Sequence, residues 1–323
     1  MKDLYQETFS SIEDIKAHFE AANYICSDQI ATCVYIAYNL QKPVMVEGPA
    51  GVGKTELAKT TAEILGVPLV RLQCYEGLDE AKALYEWKYA KQLLYTQLLK
   101  DKLSELLEGS NNFTDSMEKI HDQEDLFFSE NFLEPRPLYK ALHQEHGCVL
   151  LIDEVDKSDH EFEAFLLEVL SDFQVSIPEL GTIKAKIKPL VFLTSNNSRE
   201  MSDALKRRCL HLYVPYPEEK LESRILSARV PELSDTLRRE VVSFVQQIRE
   251  LDLKKVPSIS ETIDWAKTLL LLHASELDSA TVKQTLNVLL KFETDIEATG
   301  DHLRGFIEKA HQKSKINISS KAS

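Results

Sequence analysis

The sequence predicts an α/β protein with a five-stranded parallel sheet, helices on both of its faces, and a small all-helical domain after it. Between residues 43 and 214, five short apolar runs alternate with helix-forming stretches, which is typical of parallel strands joined by helices. Beyond Glu218 the sequence offers only helical stretches. We therefore predict a sheet domain over 1–217 and a helical domain over 218–312, with a polar, disordered tail over 313–323.

The predicted strands are short and almost entirely apolar, as expected for strands that are buried on both faces. They are 43–47, 69–73, 148–152, 190–194 and 210–214. A hairpin is also predicted near 175–185, where two strand-like runs flank the turn Pro178-Glu179-Leu180-Gly181.

Helices are predicted from the spacing of apolar residues and from capping residues. Ser10 and Glu13 fit a capping box that opens a helix running to Ala22. The stretch from Leu78 to Leu107 is rich in Leu, Lys and Glu, so we predict one long helix-forming segment there, followed by an exposed loop over 108–125. The other predicted helices are 27–40, 56–65, 136–145, one carrying Phe162, Phe165, Leu166, Val169 and Leu170 on one face, and then 218–229, 234–252, 260–275 and 279–297.

Composition narrows the class of protein. The chain of 323 residues carries 52 acidic and 38 basic side chains, a net charge of -14, which weighs against a protein that coats nucleic acid or an anionic membrane. The five cysteines are scattered without a CxxC pair, as is typical of reduced intracellular thiols. The N-terminus has no apolar signal core, and no apolar run is long enough to span a bilayer. We therefore expect a cytoplasmic protein without a transmembrane segment.

The most informative stretch is Gly48-Pro49-Ala50-Gly51-Val52-Gly53-Lys54-Thr55, which lies between the first strand and a helix. In that context the pattern GxxxxGK[ST] indicates a polyphosphate site, because bare backbone N–H groups and a helix N-terminus attract anions. Lys54 would reach the β and γ phosphates, and the Thr55 hydroxyl would help to hold Mg²⁺. We predict that the nucleotide contacts Gly48, Pro49, Ala50, Gly51, Val52, Gly53, Lys54, Thr55 and Glu56.

Two acids, Asp153 and Glu154, directly follow the third predicted strand. The carboxyl ends of parallel strands meet at one edge of a sheet, so both carboxylates should lie beside the phosphate loop. Asp153 would bind Mg²⁺ through water, and Glu154 would act as the general base that activates the attacking water. The alternative, a pair of solvated acids at a strand end, is disfavoured by the loop upstream.

Two weaker signals follow further along the chain. Asn196, after the fourth strand, would orient the water and touch the γ phosphate, although Asn is also common in turns after strands. Arg207 and Arg208 precede the fifth strand. Either is able to reach a neighbouring subunit's γ phosphate, or to balance the dipole at a helix end.

In this order the motifs resemble the AAA+ ATPases, and within them the MoxR group, over about residues 23–272. The resemblance implies a Walker A motif at Lys54 and Thr55, a Walker B motif at Asp153 and Glu154, sensor 1 at Asn196, and an arginine finger at Arg208, with Arg207 as its rival. It also likens 74–107 and the hairpin near 175–185 to insertions of that group. Glu47-Gly48-Pro49, Leu84-Tyr85-Glu86-Trp87 and Ile177-Pro178-Glu179-Leu180-Gly181 are most similar to the MoxR ATPases associated with carbon monoxide dehydrogenase and related molybdenum hydroxylases.

One feature departs from the MoxR pattern, and another has two possible roles. MoxR proteins commonly carry a sensor 2 arginine where this chain has Ser260, while Ser258 and Glu261 form a capping box there. Lys184, Lys186 and Lys188 alternate near the hairpin, and would either face a pore and touch an acidic client or protect an exposed sheet edge.

The resemblance implies Mg²⁺-dependent ATP hydrolysis by a homo-oligomeric ring, expected to be a hexamer, that remodels or matures a client metalloenzyme with a von Willebrand A domain partner. Nucleic acid is not expected as a partner. Two alternatives stay open: a nucleic-acid-remodelling AAA+ motor and a nucleotide-gated scaffold that does not hydrolyse. DNA-stimulated or RNA-stimulated ATPase activity would favour the first. The intact pair Asp153-Glu154 disfavours the second, because a protein that does not hydrolyse nucleotide has no need of a general base.

Overall fold

The structure of the chain is a computed structural model, and it describes residues 9–98, 130–177 and 181–319. Five strands form the central sheet, namely β1 (Val44–Glu47), β2 (Leu69–Gln73), β5 (Val149–Asp153), β8 (Leu190–Ser195) and β9 (Leu210–Tyr213). They pair in parallel in the order β2-β5-β8-β1-β9. The predicted fold class is confirmed, and every residue of β1, β5 and β8 is buried.

Thirteen helices lie in the described part of the chain. Those before and between the sheet strands are α1 (Ile12–Ala21), α2 (Asp28–Leu40), α3 (Lys54–Leu65), α4 (Glu80–Ala83), α5 (Tyr89–Leu98), α6 (Pro137–Leu142), α7 (His160–Asp172) and α8 (Asp203–Arg208). The helices that follow are α9 (Glu219–Arg229), α10 (Asp235–Arg249), α11 (Ile259–Leu271), α12 (Ser279–Leu289) and α13 (Glu293–Ser319). None of these described helices is long and apolar enough to cross a membrane.

The sheet separates two apolar cores because its side chains alternate between faces. Leu150 and Leu193 point into one core, which also contains Leu142 and Leu166 from α6 and α7. The neighbouring residues of the same strands, such as Val149, point into the other core, with side chains from α1, α2 and α3. Helices therefore cover both faces, as the apolar strand sequences predict.

The segment predicted as one long helix from Leu78 is interrupted, and this prediction is wrong up to residue 98. Its residues form α4, then strand β3 (Tyr85–Trp87), then α5. Strand β3 pairs in antiparallel fashion with β4 (Leu133–Pro135), and Leu84 and Trp87 are buried in the core beside it. Helix propensity is a weak local preference, and pairing with a distant strand overrides it. Residues 99–107 and the predicted loop over 108–125 lie outside the described residues.

The predicted disordered tail is also wrong over 313–319, because α13 continues to Ser319. Ser314 is buried, and its hydroxyl donates a hydrogen bond to the Glu240 carboxylate at 3.4 Å. Polar composition indicated disorder, but the helix packs against α10.

The predicted hairpin is present as β6 (Gln174–Ile177) and β7 (Gly181–Lys184), which pair in antiparallel fashion. Two of its three lysines contact their own chain: Lys186 pairs with Glu145 at 3.2 Å, and Lys188 lies over the Phe173 ring at 5.6 Å. Their alternation in sequence therefore does not give a single row of free cations.

A buried ion pair holds the C-terminal helices together. The Arg249 guanidinium binds both carboxylate oxygens of Glu222, at 2.8 and 2.7 Å, and Glu222 is fully buried. Arg249 also donates to the Pro257 carbonyl at 2.8 Å, while Thr262 donates to Glu222 at 2.9 Å. One ion pair thus links α9, α10 and the start of α11.

Replacing Arg249 should destabilise this helical region. In Arg249→Met the Glu222 carboxylate stays buried without a cation, which should lower the free energy of unfolding by about 3 kcal/mol. This free energy is measured by urea denaturation, followed through the fluorescence of Trp265, which is buried in this region. Arg224→Met is the control, since its pair with Glu20 is exposed and should contribute less than about 1 kcal/mol. An equal loss of unfolding free energy in Arg249→Met and Arg224→Met would contradict a special role of the buried pair.

Candidate active site

The loop between β1 and α3 closes against two distant segments, and this requires glycine at two positions. A Cβ on Gly48 would lie 2.1 Å from the Val214 carbonyl oxygen, and one on Gly51 would lie 2.1 Å from the Ser258 hydroxyl. Gly51 also has a φ of +74°, in the left-handed region. The loop is therefore packed tightly between the end of β9 and the start of α11.

Lys54, the first residue of α3, is buried inside this loop. Its ammonium group donates to the carbonyls of Gly48 and Pro49, at 2.6 and 2.7 Å, and to the Asn196 amide oxygen at 2.8 Å. The Lys54 ammonium group thus connects the phosphate loop and the start of α3 to the residue that follows β8. The structure places Lys54 and Asn196 in contact, although 142 positions of sequence separate them.

Thr55 and Asp153 form the second contact between the loop and the sheet. The Thr55 hydroxyl lies 3.1 Å from the nearer oxygen of the Asp153 carboxylate, which is almost completely buried. The described residues contain no cluster of three His, Cys, Asp or Glu side chains that would hold a metal without help. A hydroxyl beside one carboxylate nevertheless fits Mg²⁺, which takes oxygen ligands and fills its remaining positions with phosphates and waters.

Glu154 is held from several sides. Its φ of 56° lies in the left-handed region, which is uncommon for a residue with a side chain. Its backbone N–H donates to the Thr194 hydroxyl at 2.9 Å. Its carboxylate accepts hydrogen bonds from Asn196 at 3.3 Å and from Gln73 at 3.0 Å, and pairs with Lys157 at 2.9 Å. The unusual backbone and these contacts fix the carboxylate at the mouth of the cleft.

Asp156 was not predicted from the sequence, yet it shapes the turn that carries Asn196. It accepts hydrogen bonds from the backbone N–H groups of Asn196 and Ser198, at 3.3 and 2.9 Å, and from the Ser198 hydroxyl. Burial by itself would raise the pKa of Asp156, but these hydrogen bonds outweigh it and lower the pKa. The sequence signal for it was its position just after the paired acids.

Arg71 was also missed by the sequence prediction. It extends from β2, the edge strand beside β5, and lines the cleft together with Lys54, Thr55, Asp153 and Glu154. Two of its N–H groups donate to one oxygen of Asp153, at 3.0 and 2.6 Å. An arginine in an edge strand gives no local signal of such a contact.

Arg207 and Arg208 lie outside this cleft, and both are exposed at the end of α8. The Arg208 guanidinium donates to the Ser171 hydroxyl at the end of α7. The structure of the single chain therefore does not bring either arginine to the other predicted site residues.

Ser260 does lie at the loop, in the first turn of α11. Its backbone N–H and its hydroxyl both donate to the Gly51 carbonyl, at 3.4 and 3.2 Å. Ser258 and Glu261 form the predicted capping box at the start of the same helix. At this position, therefore, the contact between α11 and the loop backbone is a neutral hydrogen bond.

Two adjoining cavities complete the site. The polar cleft around Lys54 and Asp153 has a volume of about 290 Å³. On the other side of Gly53 lies a smaller, mainly apolar cavity of about 160 Å³. It is lined by residues of both the sheet region and the helical region, among them Ile25, Val52, Pro215, Ile225, Ile259 and Ile263. A polar cleft beside an apolar one suits a ligand with a phosphate end and a flat ring.

The fold and this site define the class of P-loop nucleotide-binding proteins, in which a glycine-rich loop joins a parallel strand to a helix N-terminus. The family model described as "ATPase family associated with various cellular activities (AAA)" matches residues 44–216. This match covers more than half of the chain, which therefore belongs to the AAA family.

Relatives among known proteins are distant. Uncharacterized proteins from Staphylococcus aureus strains USA300 and Mu50 are each 23% identical over 240 residues, which is 72% of this chain and 77% of theirs. Domain III of the Thermotoga maritima replication initiation protein DnaA superposes with a TM-score of 0.45 and 14% identity, over 84% of this chain and 96% of that one. The Thermotoga maritima RuvB Holliday junction branch migration motor gives 0.44 and 15%, over 88% and 73%.

Substituting Gly51 tests the close packing of the loop. Gly51→Ala should weaken nucleotide binding at least about tenfold, because its Cβ meets Ser258 and the loop must open. Titration with a fluorescent ATP analogue measures the affinity. Gly66→Ala is the matched control, since Gly66 also has a positive φ of 64° but open space around it. It should cost about 1 kcal/mol of stability and leave affinity unchanged, and an equal loss of affinity in both variants would contradict this account.

Proposed function

We propose that this AAA-family protein binds ATP with Mg²⁺ and hydrolyses it. The observation that supports this most strongly is that a single cleft gathers Lys54, Thr55, Asp153, Glu154 and Asn196. These are the residue types that phosphoryl transfer to water needs: a cation for the phosphates, oxygen ligands for the metal, and a base and an amide for the water.

Each residue has a distinct part in this proposal. The backbone of Gly48 to Gly53 and the first turn of α3, as far as Glu56, cradle the phosphates, and Lys54 neutralises their charge. Thr55 and Asp153 hold Mg²⁺, which when bound neutralises charge on the β and γ phosphates. The adjoining apolar cavity, between Ile25 and Ile263, suits the adenine ring.

Glu154 is the proposed general base. Its carboxylate is exposed enough to meet a water, because a third of its side chain is accessible, and Asn196 contacts both Glu154 and Lys54. Asn196 would therefore orient the water between the base and the γ phosphate. A scaffold that binds nucleotide without hydrolysing it would have no use for a base held in this way.

Glu154→Gln should separate binding from turnover. We expect ATP affinity to be retained and phosphate release to fall at least about 100-fold, because the amide cannot accept the proton from water. Nucleotide titration and a phosphate-release assay measure the two quantities. Glu145→Gln, an exposed acid paired with Lys186, is the control and should turn over normally. Unchanged turnover in Glu154→Gln, or loss of ATP binding, would exclude Glu154 as the base.

We further propose that the protein acts as a homo-oligomeric ring, a hexamer, with active sites shared between subunits. Members of the AAA family commonly form oligomers. Arg207 and Arg208 are exposed and do not line their own cleft, so an exchange of the Arg208 contact with Ser171 would let its guanidinium meet a neighbour's γ phosphate. Arg208 is the proposed finger.

Subunit mixing tests this proposal. Arg208→Ala should remove ATP turnover while leaving nucleotide affinity intact, and Lys54→Ala should remove binding itself. Mixtures of the two inactive variants should regain part of the turnover, because some interfaces then combine an intact loop with an intact finger. Arg207→Ala, at the adjacent exposed arginine, distinguishes the two candidates, because it should keep its turnover if Arg208 is the finger and lose it if Arg207 is. Mixtures that stay inactive would contradict shared sites.

The resemblance to MoxR ATPases extends the proposal to a client. On that basis hydrolysis moves the helical domain, 218–312, against the sheet domain and remodels a metalloenzyme during maturation, together with a von Willebrand A domain protein. The net charge of -14 favours a protein client over nucleic acid. Co-purification of the Glu154→Gln variant, which should hold ATP, is the direct way to capture such partners.

A further inference from the structure

Asp153 is a buried carboxylate, and Arg71 contacts one of its two oxygens. The first oxygen accepts hydrogen bonds from the hydroxyls of Thr55 and Thr194. The second accepts two hydrogen bonds from the Arg71 guanidinium, at 3.0 and 2.6 Å, and lies 3.4 Å from the Thr55 hydroxyl. Burying a carboxylate without an opposite charge nearby costs several kcal/mol of free energy. A nearby cation is therefore needed to stabilise the charged form of Asp153.

Arg71 supplies that charge in the described cleft. The other cation lining the cleft, Lys54, donates its three hydrogen bonds to two loop carbonyls and to Asn196. Lys157, which lies nearby, pairs with Glu154 instead. The Asp153 carboxylate is thus neutralised by Arg71, whose side chain is 48% exposed while that of Asp153 is 4% exposed.

Arg71 is able to leave this position. It belongs to an edge strand of the sheet, about half of its side chain is in solvent, and its remaining contact is a hydrogen bond of 2.5 Å to the neighbouring Gln73 side chain. A long, half-exposed arginine exchanges partners at low cost, because solvent screens its ion pair.

We propose that Arg71 is the resident counter-cation of Asp153 and that it competes with Mg²⁺ for this carboxylate. The inference rests on the proposed function, because it requires Mg²⁺ to bind at Thr55 and Asp153. Two positive groups at one carboxylate repel each other. Binding of the metal therefore requires the guanidinium to withdraw, and Arg71 neutralises the Asp153 carboxylate whenever the metal is not bound. Arg71 is a positioning residue in this scheme, and it sets how much Mg²⁺ the site needs.

A metal titration that requires no turnover tests the competition. A fluorescent ADP analogue at fixed concentration is titrated with Mg²⁺, and the concentration that gives half of the metal-dependent signal is measured. Arg71→Gln should lower this midpoint about fivefold, because the competing charge is gone. Arg71→Met, a second neutral variant with a similar stem, should lower it equally, and Arg71→Lys should lower it less.

Arg136→Gln is the matched control. Arg136 is also half-exposed, and among the described residues it pairs with the Glu86 carboxylate, outside the cleft. The Mg²⁺ midpoint of Arg136→Gln should therefore equal that of the original protein. An unchanged or higher midpoint in both neutral Arg71 variants would overturn the inference, since Arg71 would then hold Asp153 in place for the metal. If the original protein fails to bind the ADP analogue at all, the proposed function itself fails, and the inference fails with it.

Discussion

The parallel pairing of β1, β5 and β8 is the constraint on which the rest of the site depends. These strands are buried along their whole length, so neither their direction nor their register can change without exposing apolar side chains to water. In this register Glu47 pairs with Ser195 and Ile152 with Leu193. The residues that follow the strands, namely the phosphate loop, the paired acids and Asn196, are consequently brought to one edge.

The helical region reaches this edge through the start of α11. Gly51 has no room for a side chain because Ser258 lies against it, and Ser260 donates to its carbonyl. The buried pair of Arg249 and Glu222 holds the same helix to its neighbours. The phosphate loop and the helical region are therefore coupled by packing and by neutral hydrogen bonds.

The sequence predictions that failed did so for physical reasons that act over long distances. Tyr85 and Trp87 lie within a stretch of good helix formers, but they pair with residues near 134, which no local pattern encodes. The tail beyond residue 312 is polar, yet Ser314 is buried because Glu240 of a separate helix lies opposite it. No local sequence pattern predicts that Arg71 belongs to the site, because its role depends on a contact with Asp153, which is 82 positions away in sequence.

The sequence alone determined the five strands of the central sheet, the phosphate loop and the acids at the end of β5, because each depends on short patterns: an apolar run, a glycine spacing or a residue just after a strand. Tertiary structure alone decided which side chains surround those acids. It brought Arg71 to Asp153, turned Asp156 toward the Asn196 backbone and left Arg208 outside its own cleft. These contacts join separate elements, and only the packing of the whole sheet fixes their distances.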